Sequence, residues 1–311
     1  MATVRRLSDN SIQIEAYDPC FCGSDKKVKF CHPMGKHGEI PRPRASDCKP
    51  AGSRTGIARA GCYAGQLNDC SSEMSGEHLF SEVILNLLVG ADGKFVRTGY
   101  PWQEDGELQS LTPATCKANV LCKRHNNALS PLDSTAGAFL KAVLKTPEFL
   151  QHHDLRVLIL SGDDIERWIL KTLCTHILVT GKFGVNWEPP LEWLEILWDM
   201  KPFPPGCGLY FNHSVGQTTP DTAKLALRVL TCPGINGATG AIVELAAHQF
   251  ALAMIPPNPQ QTSDSALVAQ YYRPSDFVIA YGKREVVYSF GWDAPVVPRR
   301  IGISWAPTSP K

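Results

Sequence analysis

Apolar and polar residues alternate in three different rhythms along this chain. Residues 11–17, SIQIEAY, alternate at period two and predict a short strand. Residues 76–90, GEHLFSEVILNLLVG, predict the end of a strand running into a helix that stops at Gly90. GKFVRTGYPW, residues 93–102, predicts a strand and a turn, and residues 117–145 predict a short strand, a knuckle and a helix. The 3.6-residue period is clearest in SGDDIERWILKTLCTHILVTGKFG, where Ile165, Trp168, Ile169, Leu173 and Ile177 share one helical face. Ser161 is placed to cap the start of that helix and Gly181 its end. PPLEWLEILWDM predicts a second helix opened by proline. After residue 205 the pattern turns to strands, in LALRVLTC, GAIVELAAHQFALAMI, DFVIAYG, EVVYSFGW and RRIGISW.

Composition alters this picture little. The 311 residues are 43% hydrophobic and 20% charged, with formal net charge +1, so no global field recruits a polyanion. Residues 1–60 hold 11 Lys or Arg against 6 Asp or Glu, a local excess of +5. The first residues lack an apolar core behind their basic positions, and the apolar stretch around residues 241–257 is interrupted by Glu244, His248 and Gln249. The expectation is a cytoplasmic, bacterial chain with no membrane partner.

Cysteine usage changes the picture most. Eleven cysteines, an odd number, argue against a disulfide framework. Cys48, Cys116, Cys174, Cys207 and Cys232 are scattered and read as small apolar residues. The others fall in two groups with histidines. Cys20, Cys22, Cys31 and His32 have the spacing C-x-C-x8-C-H. Three thiolates and an imidazole suit tetrahedral Zn²⁺, and four protein ligands leave no open position for water, so this site is structural. The stretch CFCGSDKKVKFCH resembles the SEC-C motif, over about residues 18–36. The resemblance implies a structural zinc element that docks protein partners or nucleic-acid complexes.

The second group is Cys62, Cys70, Cys122 and His125, with Glu77-His78 lying between its halves. LCKRHNN is a C-x2-H knuckle opening a helix, and Cys62 with Cys70 supplies the other half of a second zinc site. An acidic residue followed by His, then a knuckle that starts a helix, resembles the HNH nuclease (ββα-metal) pattern. That resemblance implies that His78 is the general base, that Glu77 and Asn126 hold a divalent cation such as Mg²⁺, and that Asn119 steadies the catalytic loop. Lys123 and Arg124 beside the knuckle then clamp the substrate phosphate. The chain departs from that pattern in several places. Seven residues separate Cys62 from Cys70, His125 stands where a second cysteine is usual, and 44 positions separate His78 from Cys122. Asn119 also lies close to the knuckle. Were His78 itself a zinc ligand, no base would remain.

The expected fold class is α+β, with a zinc knuckle over residues 1–45, a ββα-metal or treble-clef-like domain over 46–150, and a β-rich domain with flanking helices over 151–311. Two functions stay open on the sequence. One is a metal-dependent nuclease cleaving DNA or RNA, with two structural zincs. The other is a non-catalytic zinc adaptor that binds nucleic acid or protein. Residues 151–311 carry no motif; His152, His153, His176, His213 and His248 are scattered, and YFNHSVGQTTPD reads as a loop.

Overall fold

A computed structural model of the chain describes residues 5–6, 12–13, 16–17, 20, 26–31, 43–152, 155–198, 201–212, 225–245, 248–256, 270–296 and 300–304. The fold is mixed α+β. In chain order it contains β1 (Arg5–Arg6), β2 (Ile12–Gln13), α1 (Val28–Cys31), β3 (Met74–His78), α2 (Glu82–Leu88), β4 (Phe95–Arg97) and β5 (Gln109–Leu111). Next come β6 (Lys117–Cys122), α3 (Lys123–Ala128), α4 (Ser130–Leu144), α5 (Thr146–His152), β7 (Leu155–Ser161), α6 (Gly162–Thr180) and α7 (Leu191–Trp198). The remaining strands are β8 (Gly208–Asn212), β9 (Leu225–Leu230), β10 (Gly240–Leu245), β11 (His248–Ala253), β12 (Gln270–Tyr272), β13 (Asp276–Tyr281), β14 (Arg284–Gly291) and β15 (Arg300–Ser304).

Two larger sheets carry the core. One is antiparallel, in the order β12-β8-β11-β10-β9. The other is mixed, in the order β15-β13-β14-β7, with β13 parallel to β15 and β14 parallel to β7. Phe211 of the first sheet meets Phe277 and Phe290 of the second, and Phe250 meets Phe277, with ring centroids 5.2–6.3 Å apart. Phe139 of α4 inserts among them, 5.3 Å from Phe250 and 5.8 Å from Phe290, both edge-on. The largest cluster of buried apolar residues among those described has members from Cys48 to Ile301.

The start and stop signals of α6 act as the sequence indicates. The Ser161 hydroxyl accepts the Asp164 N–H, and Gly181 takes the left-handed conformation, with φ +62°. Its surroundings differ from the amphipathic expectation. The helix is buried on its polar face as well, where Asp164, Glu166, Arg167 and Lys171 are all enclosed. Each of these charges has a partner, which is the condition for burying it. Asp164 pairs with Arg167 at 2.7 Å, Glu166 with Arg273 at 2.8 Å, and Lys171 with Glu77 and Asp133.

Other readings need correction. Residues 240–255 read as one continuous strand, but they form a hairpin, β10 and β11, paired from Gly240↔Ala253 to Leu245↔His248. Ala246 and Ala247, which connect them, lie outside the described residues; no Gly or Pro announces the turn. The stretch YFNHSVGQTTPD begins in strand β8 rather than in a loop, and 213–220 lie outside the described residues. Residues 93–111 form a small two-stranded ribbon, β4 with β5, inserted between β3 and β6.

Two outcomes follow from this packing. Phe139→Ala opens a void between the sheets and is expected to destabilise the fold by about 3–5 kcal/mol in urea unfolding. His248 packs edge-on to Phe277 at 5.3 Å, and burial pushes its imidazole down to about 4. The unfolded chain therefore takes up this proton first, and stability falls as pH drops from about 6.5 towards 4. His248→Gln removes that uptake, so the fall in urea midpoint between pH 7 and pH 5 should be smaller in the variant; an equal fall would show that His248 carries none of it.

Candidate metal centre and the adjoining cavity

Cys62, Cys70, Cys122 and His125 meet in the core. Their four ligand atoms lie within 4.8 Å of one another, and all four residues are buried. His125 Nδ1 is 3.6 Å from Cys62 Sγ, 3.8 Å from Cys70 Sγ and 3.3 Å from Cys122 Sγ. Tetrahedral zinc, with bonds of about 2.3 Å to sulfur and 2.0–2.1 Å to nitrogen, separates such atoms by about 3.6 Å. The residues thus fit a zinc ion.

Local backbone geometry brings them together. A 3₁₀ turn over Gly65–Leu67, followed by Asn68 in the left-handed conformation, folds the chain back so that Cys70 returns to Cys62. This accommodates the unusually long spacing. The Tyr63 N–H donates to the Val120 carbonyl, and the Lys123 N–H to Glu73, so the turn is tied to the strand that carries Cys122. Trp198 of α7 donates Nε1–H to the His125 carbonyl and packs its ring edge-on to the imidazole at 5.1 Å.

Electrostatics favours a metal. Burial pushes the Cys62 and Cys70 thiols up, so three neighbouring thiolates are not stable here without a cation. Burial works against Cys122 too, but N–H groups of His125 and Ser71 aimed at its sulfur hold its thiol below the ordinary value. Burial pushes His125 down to about 4, leaving the neutral imidazole that a metal requires.

The helix α3 then divides two environments. His125 faces the cysteines, and Asn126, one position on, lines a cavity of about 310 Å³ on the side of β3. Gly76, Glu77, His78, Ser81, Asn126 and Asp133 are among its walls. β3 pairs with β6 antiparallel, with a bulge between Ser75 and Glu77 that re-aims the following side chains. The Asn126 amide donates to Ser75 Oγ at 2.9 Å, tying helix to strand.

His78 is nine-tenths buried, and its Nε2 has no hydrogen-bond partner among the described residues. The Glu82 carboxylate stands 3.9 Å away. Burial holds the imidazole below its ordinary value, with help from Lys117 and Lys171 and against the pull of Glu82. His78 is thus a neutral base at pH 7, and it is not a ligand of the cysteine cluster. Glu77 is 4% exposed and accepts the Lys171 ammonium at 2.8 Å. Lys171 reaches both oxygens of Asp133 as well, at 2.8 and 2.7 Å. The Ser81 hydroxyl also donates to Asp133 and receives Trp168 Nε1–H at 2.9 Å.

Other sequence candidates are placed elsewhere. Asn119 is exposed on β6 and is not among the residues lining the cavity. The Arg124 guanidinium is committed to Asp69 and to the carbonyls of Ala51 and Ser53, so it fastens the 51–55 segment. Lys123 lies exposed beside Glu73 at 3.1 Å. Of the amino-terminal group, Cys20 and Cys31 pack with Val28 against Val157, Val278 and Val287, while Cys22 and His32 lie outside the described residues. No helix among the described residues is long and apolar enough to cross a membrane. The sequence reading missed Lys171 and Asp133. An isolated lysine on a helix gives no signal, and only the burial of both faces of α6 reveals its position.

Comparison with protein-family models, with curated proteins and with solved structures finds no match.

The cluster makes a direct prediction. Cys122→Ser should lower the zinc content of the purified chain by about one equivalent by mass spectrometry and lower its melting temperature. Unchanged zinc content would mean that these four residues do not bind it.

Proposed function

We propose that the chain is a metal-dependent phosphodiesterase acting on nucleic acid, of the HNH type, with the Cys62–Cys70–Cys122–His125 zinc as a structural brace. The observation that carries this reading is His78: a neutral, nine-tenths buried imidazole whose Nε2 has no partner, in the wall of a cavity that Glu77 and Asn126 also line.

In this reading His78 takes the proton from the attacking water at Nε2. The imidazolium formed is stabilised by Glu82, whose carboxylate stands 3.9 Å away. Glu82 is half exposed, so rotation of its side chain opens the approach to Nε2. Asn126, tied to Ser75, presents a fixed amide to the substrate side of the cavity. Glu77 and Asn126 would hold a hard divalent cation, which supplies Lewis-acid stabilisation of charge developing on the phosphate. Lys123, exposed and paired with exposed Glu73, meets the phosphate by exchanging that partner, whereas Arg124 supports the knuckle. The SEC-C-like segment would dock the substrate complex or a protein partner.

The second reading, a zinc adaptor without catalysis, draws on the engagement of Glu77 by Lys171. Incubating the zinc-loaded chain with plasmid DNA and structured RNA in Mg²⁺ or Mn²⁺ separates them. The hydrolytic reading expects cleavage, reduced about 100-fold or more in His78→Ala. Absence of cleavage with either metal, or wild-type cleavage by His78→Ala, would remove the reading in which His78 is the base.

A further inference from the structure

We infer that Asp133, on α4 and 56 positions beyond Glu77, is the second carboxylate of the cation site in this cavity, and that Lys171 holds the two carboxylates in register. The ligand class is a hard divalent cation, Mg²⁺ or Mn²⁺. The inference rests on the hydrolytic reading for the purpose of the cation, but not for its binding.

The argument begins with access. Glu77 is 4% exposed, and one of its oxygens is spent on Lys171. The Asp133 side chain is 25% exposed and lines the same cavity, so it is the carboxylate that an entering ion meets first. Lys171, 3% exposed, spans from Glu77 to Asp133 with contacts of 2.7–2.8 Å. A buried ammonium with two carboxylate partners is well compensated. The formal charges of the three groups sum to −1, which leaves the cavity attractive to a cation after Lys171 is counted.

Donor chemistry selects the ion. The walls offer oxygen from Asp133, Glu77, Asn126, Ser130 and Ser134, and no sulfur, which suits Mg²⁺ or Mn²⁺ rather than the zinc of the neighbouring cluster. Acidic groups alone are common without a metal. The independent sign of a ligand here is His78, whose buried Nε2 makes no hydrogen bond among the described residues, the Glu82 carboxylate standing off at 3.9 Å, while its side chain lines the same cavity. A nitrogen left in that state indicates a missing polar occupant, such as a water held on the cation.

The network also explains why Asp133 is held so firmly. The Trp168 indole donates to Ser81, Ser81 donates to Asp133, and Lys171 donates to both oxygens of that carboxylate. These three contacts fix the carboxylate plane, and a carboxylate with about four lone-pair sites keeps acceptor capacity for an ion.

Titration of the full zinc-loaded chain with Mn²⁺, followed by loss of the free-ion electron paramagnetic resonance signal, tests this. The wild type is expected to bind one Mn²⁺, Asp133→Asn to bind it about tenfold or more weakly, and Asp133→Glu to stay within about threefold. Unchanged affinity in Asp133→Asn, or no Mn²⁺ bound by the wild type at millimolar concentration, overturns the inference. Should Asp133→Asn fail to fold, the wild type still decides: bound Mn²⁺ must broaden the His78 ring resonances beyond detection, and sharp resonances would place the ion elsewhere. Cleavage measured on the same samples separates the two ideas. Mn²⁺ bound through Asp133 without cleavage supports this site and removes the hydrolytic reading. Cleavage with Mn²⁺ affinity unaffected by Asp133→Asn removes this site and keeps that reading.

Discussion

The convergence of Cys62, Cys70 and Cys122 on His125 Nδ1 is the constraint on which the site depends. The helix that carries His125 has six residues, too few to hold itself together in water. The segment before it, residues 49–61, is largely exposed and makes little core of its own. A metal held by the turn at Cys62–Cys70, the strand end at Cys122 and His125 of α3 would join three pieces of chain that also meet in the apolar core through Tyr63, Leu67, Leu121 and Leu129. Trp198 completes the joint from the far side by holding the His125 carbonyl and ring.

From that joint the cavity follows. Once His125 is fixed towards the sulfurs, the helical turn of about 100° per residue sends Asn126 to the opposite side, where β3 presents Glu77 and His78. The soft ligands and the oxygen donors are thereby sorted onto two sides of one short helix. Behind Glu77 and Asp133 lies α6, which is enclosed on all sides and carries its charges into the core as compensated pairs. Lys171 is the member of that set which pairs with the cavity residues Glu77 and Asp133, so the electrostatics of the site and the packing of the central helix are a single problem. Removing the lysine charge alone would leave Glu77 buried without its partner, a loss of about 3–5 kcal/mol for such pairs.

Much of this was legible in the sequence where the signal is local. The cap residues Ser161 and Gly181 bound α6, and GEHLFSEVILNLLVG folds as strand and helix. The ligands Cys62, Cys70, Cys122 and His125 stand out as soft residues grouped around a knuckle, and they do meet. What could not be read depends on contacts far apart in sequence. Lys171 sits 94 positions beyond Glu77, and on a helix with one plainly apolar face it reads as a surface residue. The sequence between β10 and β11 carries no Gly or Pro, so the hairpin shows only in the six residue pairs that join the two strands. The surroundings of Asn119 and Arg124 were also not legible. Their residue types suit a phosphate site, but strand alternation turns Asn119 outward, and Asp69 and two carbonyls take up Arg124.

The central claim is that one short helix separates a closed sulfur-rich metal site from an open oxygen-rich one. Anomalous diffraction from a crystal of the full chain soaked in Mn²⁺, recorded at the zinc and manganese edges, tests it most directly. The account predicts a zinc peak enclosed by Cys62, Cys70, Cys122 and His125, and a separate manganese peak in the His78 cavity beside Asp133. An absence of zinc at the four ligands, or manganese found only outside that cavity, would contradict it.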